Sequence, residues 1–256
     1  NDKDRVRNYL QSTANLQFFE VYTWESKDVQ SGIVAADKAV QDYLTGADKV
    51  ATVVDTTKAG SAVQPKGDTS KTATISSLAS KATPAKTDSA AIKATENPIL
   101  RLMQITQPYQ AENGRPVYPA ALGYIQSKDT GTLNDYLAME SVKSKFPSNL
   151  VFMYGKAELD DPKAKDILTL YAVKNLDHGQ AELEGDRIAG ASQDYDERGR
   201  IAIKMNMDKV GSNIWAKMTT RNVGKPIAIV LDNFVYSAPN VNDPITTGNS
   251  QISGNY

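Results

Sequence analysis

Lys225-Pro-Ile-Ala-Ile-Val-Leu-Asp-Asn-Phe-Val-Tyr-Ser-Ala-Pro-Asn-Val-Asn-Asp-Pro-Ile-Thr-Thr-Gly-Asn-Ser-Gln-Ile-Ser-Gly-Asn-Tyr256 closes the chain, and its reading decides the fold. Residues 227–231 are an uninterrupted apolar run rich in β-branched side chains, the pattern of a strand covered on both faces. Asp232-Asn233 supplies two residues that tolerate positive φ, so a tight hairpin leads into Phe234, Val235 and Tyr236. Pro239 and Pro244 break the path beyond it. Gly248 and Gly254 then flank Gln251-Ile252 as turn and bulge glycines of a last extended segment. Nothing here has catalytic spacing, and the stretch reads as a docking scaffold.

Working outward, Asp208 is placed to cap a helix through Val223 that aligns Val210, Ile214 and Met218. Gly224 follows as its stop and Pro226 forbids continuation. Before it, Ile201, Ile203, Met205 and Met207 alternate, so one face of that strand is buried and the other wet. Residues 183–256 thus form a compact α+β unit. Upstream, a strand over 120–126, helical pieces over 132–146 ended by Pro147, and strands over 150–154 and 167–173 resemble half of a split βαβ plait. Asn97-Pro98 opens a helix of a few turns through Ile99, Leu102, Met103 and Ile105.

Toward the beginning, Ile33, Ala36, Val40, Tyr43 and Leu44 recur at helical spacing and Gly46 closes them. Leu16, Phe18, Phe19, Val21, Tyr22 and Trp24 give a strand with large side chains on both faces. Residues 4–14 read as a short helix. Residues 56–95 are Ala, Ser, Thr and Lys with almost no large apolar side chain, which reads as a flexible insert. The expected fold is α+β: a ferredoxin-like (split βαβ) base portion plus a small α+β head with a mostly antiparallel sheet. Residues 1–24 begin the base, 25–96 carry a helix and the insert, 97–178 form the base portion, and 179–256 form the head.

The 256 residues are 40% hydrophobic, enough for sizeable cores, and the formal net charge of −1 lacks the basicity of a nucleic-acid binder. No cysteine is present, which excludes thiolate catalysis and disulfides. No window has the length of apolar sequence a membrane span needs. The chain opens at Asn1 and ends on what reads as an interior strand, as expected of a piece excised from a larger protein.

The catalytic inventory is thin. His178, the one histidine, lies in a polar connection and reads as a surface residue. Used as a base with a carboxylate it would make the chain a hydrolase, which needs a partner within hydrogen-bond reach. Asp194, Asp196, Glu197 and Gly199 resemble a calcium loop faintly, but Met205 stands where the bidentate Glu is required. Asp160-Asp161 before Pro162 reads as a turn initiator. Glycine-rich phosphate motifs are missing. No enzyme activity, cofactor or metal is expected.

Gly224-Lys-Pro-Ile-Ala-Ile-Val-Leu-Asp232, Tyr236-Ser-Ala-Pro239, Pro244-Ile, Gly248 and Gln251-Ile-Ser-Gly254 together resemble the head of the first periplasmic domain of SecD, or of fused SecDF, in the bacterial Sec translocase. Leu183, Gly185, Asp186, Ile188 and Ala191 extend the likeness, as does the helix from Trp215 to Gly224. At the other end Arg5-Val, Tyr9-Leu-Gln and Ala14-Asn-Leu-Gln-Phe18 resemble that domain's base. The family's hairpin usually carries Gly where Asn233 stands. The insert resembles fused proteins of the Bacteroidetes type.

The resemblance implies a module of a multi-pass protein on the periplasmic side of the bacterial inner membrane, assisting export driven by the proton motive force. It implies unfolded preprotein, the SecYEG channel and SecF, separate or fused, as partners, with membrane attachment through transmembrane helices outside this sequence. Capture of unrelated sequences favours pairing at a sheet edge and adaptable apolar contacts. Ile188, Phe234, Val235 and Tyr236 are the candidate polypeptide-binding residues, and Gly185, Asp232, Pro239, Gly248 and Gly254 are structural residues of the motif. The alternative is a non-catalytic structural or adhesive ectodomain.

Overall fold

The computed structural model of the protein describes residues 15–46, 96–111, 114–156, 165–176, 180–195, 199 and 201–253. The expectations for residues 4–14 and 56–95, Asp160-Asp161, His178, Asp196, Glu197 and Gly254 lie outside the described residues. The elements run β1 (Leu16–Tyr22), α1 (Lys27–Thr45), β2 (Met103–Ile105), β3 (Tyr109–Gln110), β4 (Pro116–Val117), β5 (Gly123–Gln126), α2 (Thr130–Ala138), α3 (Glu140–Lys143), β6 (Leu150–Lys156), β7 (Ile167–Lys174), β8 (Leu183–Glu184), β9 (Ile188–Tyr195), β10 (Ile201–Met207), α4 (Lys209–Arg221), β11 (Ile227–Leu231), β12 (Phe234–Ser237) and β13 (Asn249–Ser253).

The apolar run of β11 is buried on both sides. Ile227 and Ile229 enter one core cluster while Ala228 and Val230 enter another, as period-two alternation requires. Asp232 (φ 49°) and Asn233 (φ 65°) both adopt left-handed backbone, the two-residue turn whose twist suits a hairpin. Leu231 opposes Phe234 and Val230 opposes Val235 before a bulge shifts the ladder.

A sheet in the order β2-β5-β7-β6-β12-β11-β1-β8 closes on itself, because β7 also pairs with β1. The closing register is Glu20 to Lys174, Val21 to Val173 and Tyr22 to Ala172. Strands β7, β6, β12, β11 and β1 therefore form a ring. Phe19, Val21, Tyr171, Val173, Ala228, Val230 and Val235 meet in one buried cluster with Val151 and Met153, so side chains from all five strands fill the interior. Outside the ring, Leu170 packs with Ala36 and Val40 of α1, Leu133 of α2 and Val142 of α3. A second sheet, β13-β10-β9, lies with α4 over Phe18, Ile227 and Ile229. Strands β5 and β6 each pair antiparallel with β7, which lies between them.

Three expectations change. The helix from Asn97 is instead a short 3-10 turn, Leu100–Leu102, running into β2. Asn97 has φ 48°, and Asp37 Oδ1 accepts from the amides of Ile99 (2.8 Å) and Leu100 (3.0 Å), so Met103 is delivered to pair with Ile125. Pairing with β5 overrides the local helical pattern. On α4 the buried side chains are Trp215, Met218 and Thr219 together with Gly211, and Val210 is 49% exposed. Met218 and Ile214 do pack on the core, so only the Val210 end departs: there Gly211 faces Arg187 instead, where an added Cβ would lie 3.0 Å from the Arg187 carbonyl oxygen. Lastly, β11 and β12 pair into the ring, so the stretch after residue 179 is divided between both sheets.

Candidate functional site

Phe234 is 38% exposed and Tyr236 52%, whereas Val235 is 1% exposed and packs inside the ring. Strand β12 offers no open edge, since β11 flanks it on one side and β6 on the other, in parallel, with Phe234 opposite Tyr154 and Val235 opposite Gly155. Gly155 permits this approach: an added Cβ would lie 2.5 Å from the Val235 carbonyl oxygen. The hairpin thus presents two aromatic side chains and no unpaired backbone ladder. Ile188 is half-buried at the start of β9 and packs against the cluster beneath β10.

The motif residues take structural roles. Asp232 accepts from the Asn15 amide at 2.9 Å through Oδ1, and its own amide donates to the Asn15 carbonyl at 3.2 Å. Gly185 approaches Leu16, where a Cβ would lie 3.0 Å from the Leu16 Cβ. The Pro239 carbonyl accepts from the Ile227 amide at 3.1 Å. Gly248 (φ 74°) lies against Ser212 of α4.

Two features escaped the sequence reading. A cleft of about 280 Å³ lies between β11, the 239–245 crossover and β13, lined by Trp215, Ile227, Ile229, Val241, Ile245 and Ile252 among others. The Trp215 Nε1–H is buried without a hydrogen-bond acceptor among the described residues. The second feature is Glu20, a carboxylate on β1 with a side chain 11% exposed. It accepts from Lys174 of β7 at 2.9 Å, from Arg221 Nη2 at 2.7 Å and Nε at 3.0 Å, and from Asn222 at 2.9 Å. Arg221 also pairs with Glu182 at 2.5 Å. Burial pushes the Glu20 carboxyl up, but the hydrogen bonds from Lys174, Arg221 and Asn222 outweigh it and hold the carboxyl below its ordinary range. The network ties the end of α4 to the ring. A lone carboxylate inside Leu16-Gln-Phe-Phe-Glu-Val-Tyr22 was its signal.

Asp194 pairs with Lys204 across β9 and β10 and accepts from the Tyr195 amide at 2.8 Å, which holds its carboxyl below the usual range. Among the described residues, no group of three or more His, Asp or Glu is placed to hold a metal ion, and no helix is long and apolar enough to cross a membrane.

Ring, second sheet, aromatic hairpin and cleft define an α+β domain. The chain belongs to the SecD/SecDF family of protein translocase subunits, in which it is a periplasmic domain. Residues 161–256 match the family model described as the SecDF P1 head subdomain, a match that begins ahead of β7. Protein translocase subunit SecD of Rhodothermus marinus is 31% identical over 255 residues, covering 99% of this chain and 35% of that protein. SecD of Leptotrichia buccalis is 32% identical over 126 residues, 48% of this chain and 29% of its own length. The chain therefore spans about a third of the length of these two relatives. A solved SecDF, described as a membrane component that enhances protein export, aligns over 93% of this chain and 85% of its own at 16% identity with a TM-score of 0.28.

Proposed function

We propose that this chain is the periplasmic module with which a SecD/SecDF-type subunit holds polypeptide emerging at the outer face of the inner membrane, assisting export driven by the proton motive force. The match of residues 161–256 to the P1 head carries this reading. Its partners are unfolded preprotein and, through the parent protein, the SecYEG channel and SecF, with transmembrane helices of the parent providing the membrane attachment. It works by binding rather than by catalysis. Residues 1–24 and 97–178 act as the base, which we read as ferredoxin-like because β7 lies between β5 and β6. Residues 25–96 carry α1 and the insert, and 179–256 act as the head. This division is functional, since β11 and β12 belong to the ring.

Phe234 and Tyr236 contact the passenger, Val235 holds their strand in place, and Ile188 contributes at the foot of β9. The adaptable apolar surface they offer suits partners of no fixed sequence. Photo-crosslinkers at Phe234 or Tyr236 in the membrane-embedded parent are expected to trap a secreted protein in transit. Crosslinking no stronger than at residues 56–95 would count against this surface.

A further inference from the structure

Four strands end the two larger sheets: β2 with three residues, β8 with two, β13 with five and β9 with eight. Strand β9 is the longest, and β10 covers only one of its sides. Residues 190–195 run in unbroken register against 201–206, with a single irregularity confined to the Ile188 end. Along the other side no described strand lies, so a row of backbone donors and acceptors faces outward at the spacing of a β-ladder.

Proteins usually blunt such an edge with a lysine, a proline or a bulge in its middle. None of these interrupts Gly190-Ala-Ser-Gln-Asp194, and the Tyr195 amide beyond it is taken by Asp194 Oδ1. Its one charge, Asp194, is neutralised by Lys204 of the neighbouring strand. Side chains at 190–193 are no larger than glutamine, and those of Ala191, Ser192 and Gln193 are exposed. A groove or pocket selects side chains, whereas this edge offers only backbone, which any extended peptide matches whatever its sequence.

We propose that β9 is a docking edge for an extended, unfolded polypeptide, which adds as a further strand beside Gly190–Asp194 through main-chain hydrogen bonds. The occupant is a heterologous chain without fixed sequence, because the uncharged side chains at 190–193 neither select nor repel a residue type. This deepens the polypeptide-binding reading above and rests on it. It also relocates the backbone part of the contact, since the hairpin strand β12 has both sides paired and leaves only its aromatic side chains exposed.

The test titrates the full 256-residue chain against two probes followed by fluorescence anisotropy: reduced, carboxymethylated α-lactalbumin, and the end-capped heptapeptide Lys-Thr-Val-Thr-Val-Thr-Lys. Neighbouring residues in a strand direct their amides to opposite sides, so one of Ala191→Pro and Ser192→Pro removes an outward amide. That variant is expected to bind both probes at least tenfold more weakly with an unchanged melting temperature. The peptide readout does not depend on how a variant folds: N-methylation along one side of the heptapeptide leaves binding intact, and N-methylation along both sides weakens it at least tenfold. Binding indifferent to N-methylation and to both proline substitutions would overturn the docking edge and leave the polypeptide-binding reading standing. Failure of the unaltered chain to bind unfolded α-lactalbumin would overturn both. A dimer in light scattering that the same proline dissolves would assign the edge to a second copy of the chain and overturn the proposal.

Discussion

Glu20→Gln isolates the polar tie between α4 and the ring. The carboxylate uses both oxygens: Oε1 takes Arg221 and Asn222, and Oε2 takes Lys174. Glutamine keeps one acceptor, so if it serves Arg221 and Asn222 its amide NH2 is set against the Lys174 ammonium. A hydrogen bond to a charged group contributes about 1.5–3 kcal/mol, and the 38% exposure of the Lys174 side chain and 49% of Arg221 discount that range. The expected loss is about 2 kcal/mol at pH 7, read as a lower urea midpoint. Because the folded carboxyl lies below its ordinary 4.5, its contribution is complete above pH 4.5 and disappears as pH falls through the folded value. The gap between wild type and Glu20→Gln is therefore full at pH 7 and narrows below pH 4.5. Trp215, which packs edge-to-face on Phe18 at 5.4 Å, and Trp24, which donates to the Leu122 carbonyl at 2.8 Å, report on the two sides of the ring by fluorescence. A gap that is absent at pH 7, or constant from pH 7 to pH 3, refutes the reasoning.

Three further outcomes are expected. Gly155→Ala forces the β6 and β12 backbones apart at the Val235 carbonyl and costs about 1–3 kcal/mol or more, measured by chemical denaturation; a neutral effect would contradict the tight parallel pairing. Asn233→Ala costs about 1 kcal/mol for placing alanine in left-handed backbone, while Asn233→Gly is close to neutral; equal losses would contradict the turn. Expressed alone, residues 179–256 lack Phe18 and the β1 pairing of β11, so they are expected to give a poorly dispersed NMR spectrum, whereas a cooperative melt would show the head to be autonomous.

Much of the scaffold was legible because its signals are local. The alternation within residues 227–231, the Asp232-Asn233 turn and the αL stop at Gly46 each depend on residues adjacent in the chain. Ring closure was not legible, since the pairing of β7 with β1 joins residues some 150 positions apart and leaves no trace in periodicity. The face of α4 was misread at its first turn only, for a related reason. Ile214 and Met218 pack inward with Trp215 as their spacing suggests, but in the first turn Gly211, close to Arg187, replaces Val210 on that face. At the candidate site, Phe234 and Tyr236 were legible as strand aromatics, whereas the burial of Val235 follows from a parallel partner that the hairpin itself does not announce. The cleft beside Trp215 is assembled from three separated segments, so composition could not reveal it.

The closing stretch joins the two sheets by contacts of a particular kind. Its crossover is stitched to the entry of β11 by Ile227 N–H to the Pro239 carbonyl, Gly224 N–H to the Val241 carbonyl and Val241 N–H to the Lys225 carbonyl. Below these bonds, Met205 and Met207 of β10 and Ile252 of β13 pack with Phe18, Ile227 and Ile229 in one apolar cluster. Dispersion and burial stabilise such a cluster without fixing a single direction, whereas hydrogen-bonded ions fix distance and angle. Glu20 with Arg221, Asn222 and Lys174 is a directional, charged contact between α4 and the ring. The apolar cluster accordingly accounts for why the second sheet stays on the ring, and the Glu20 network for the angle at which α4, and with it β9, is held.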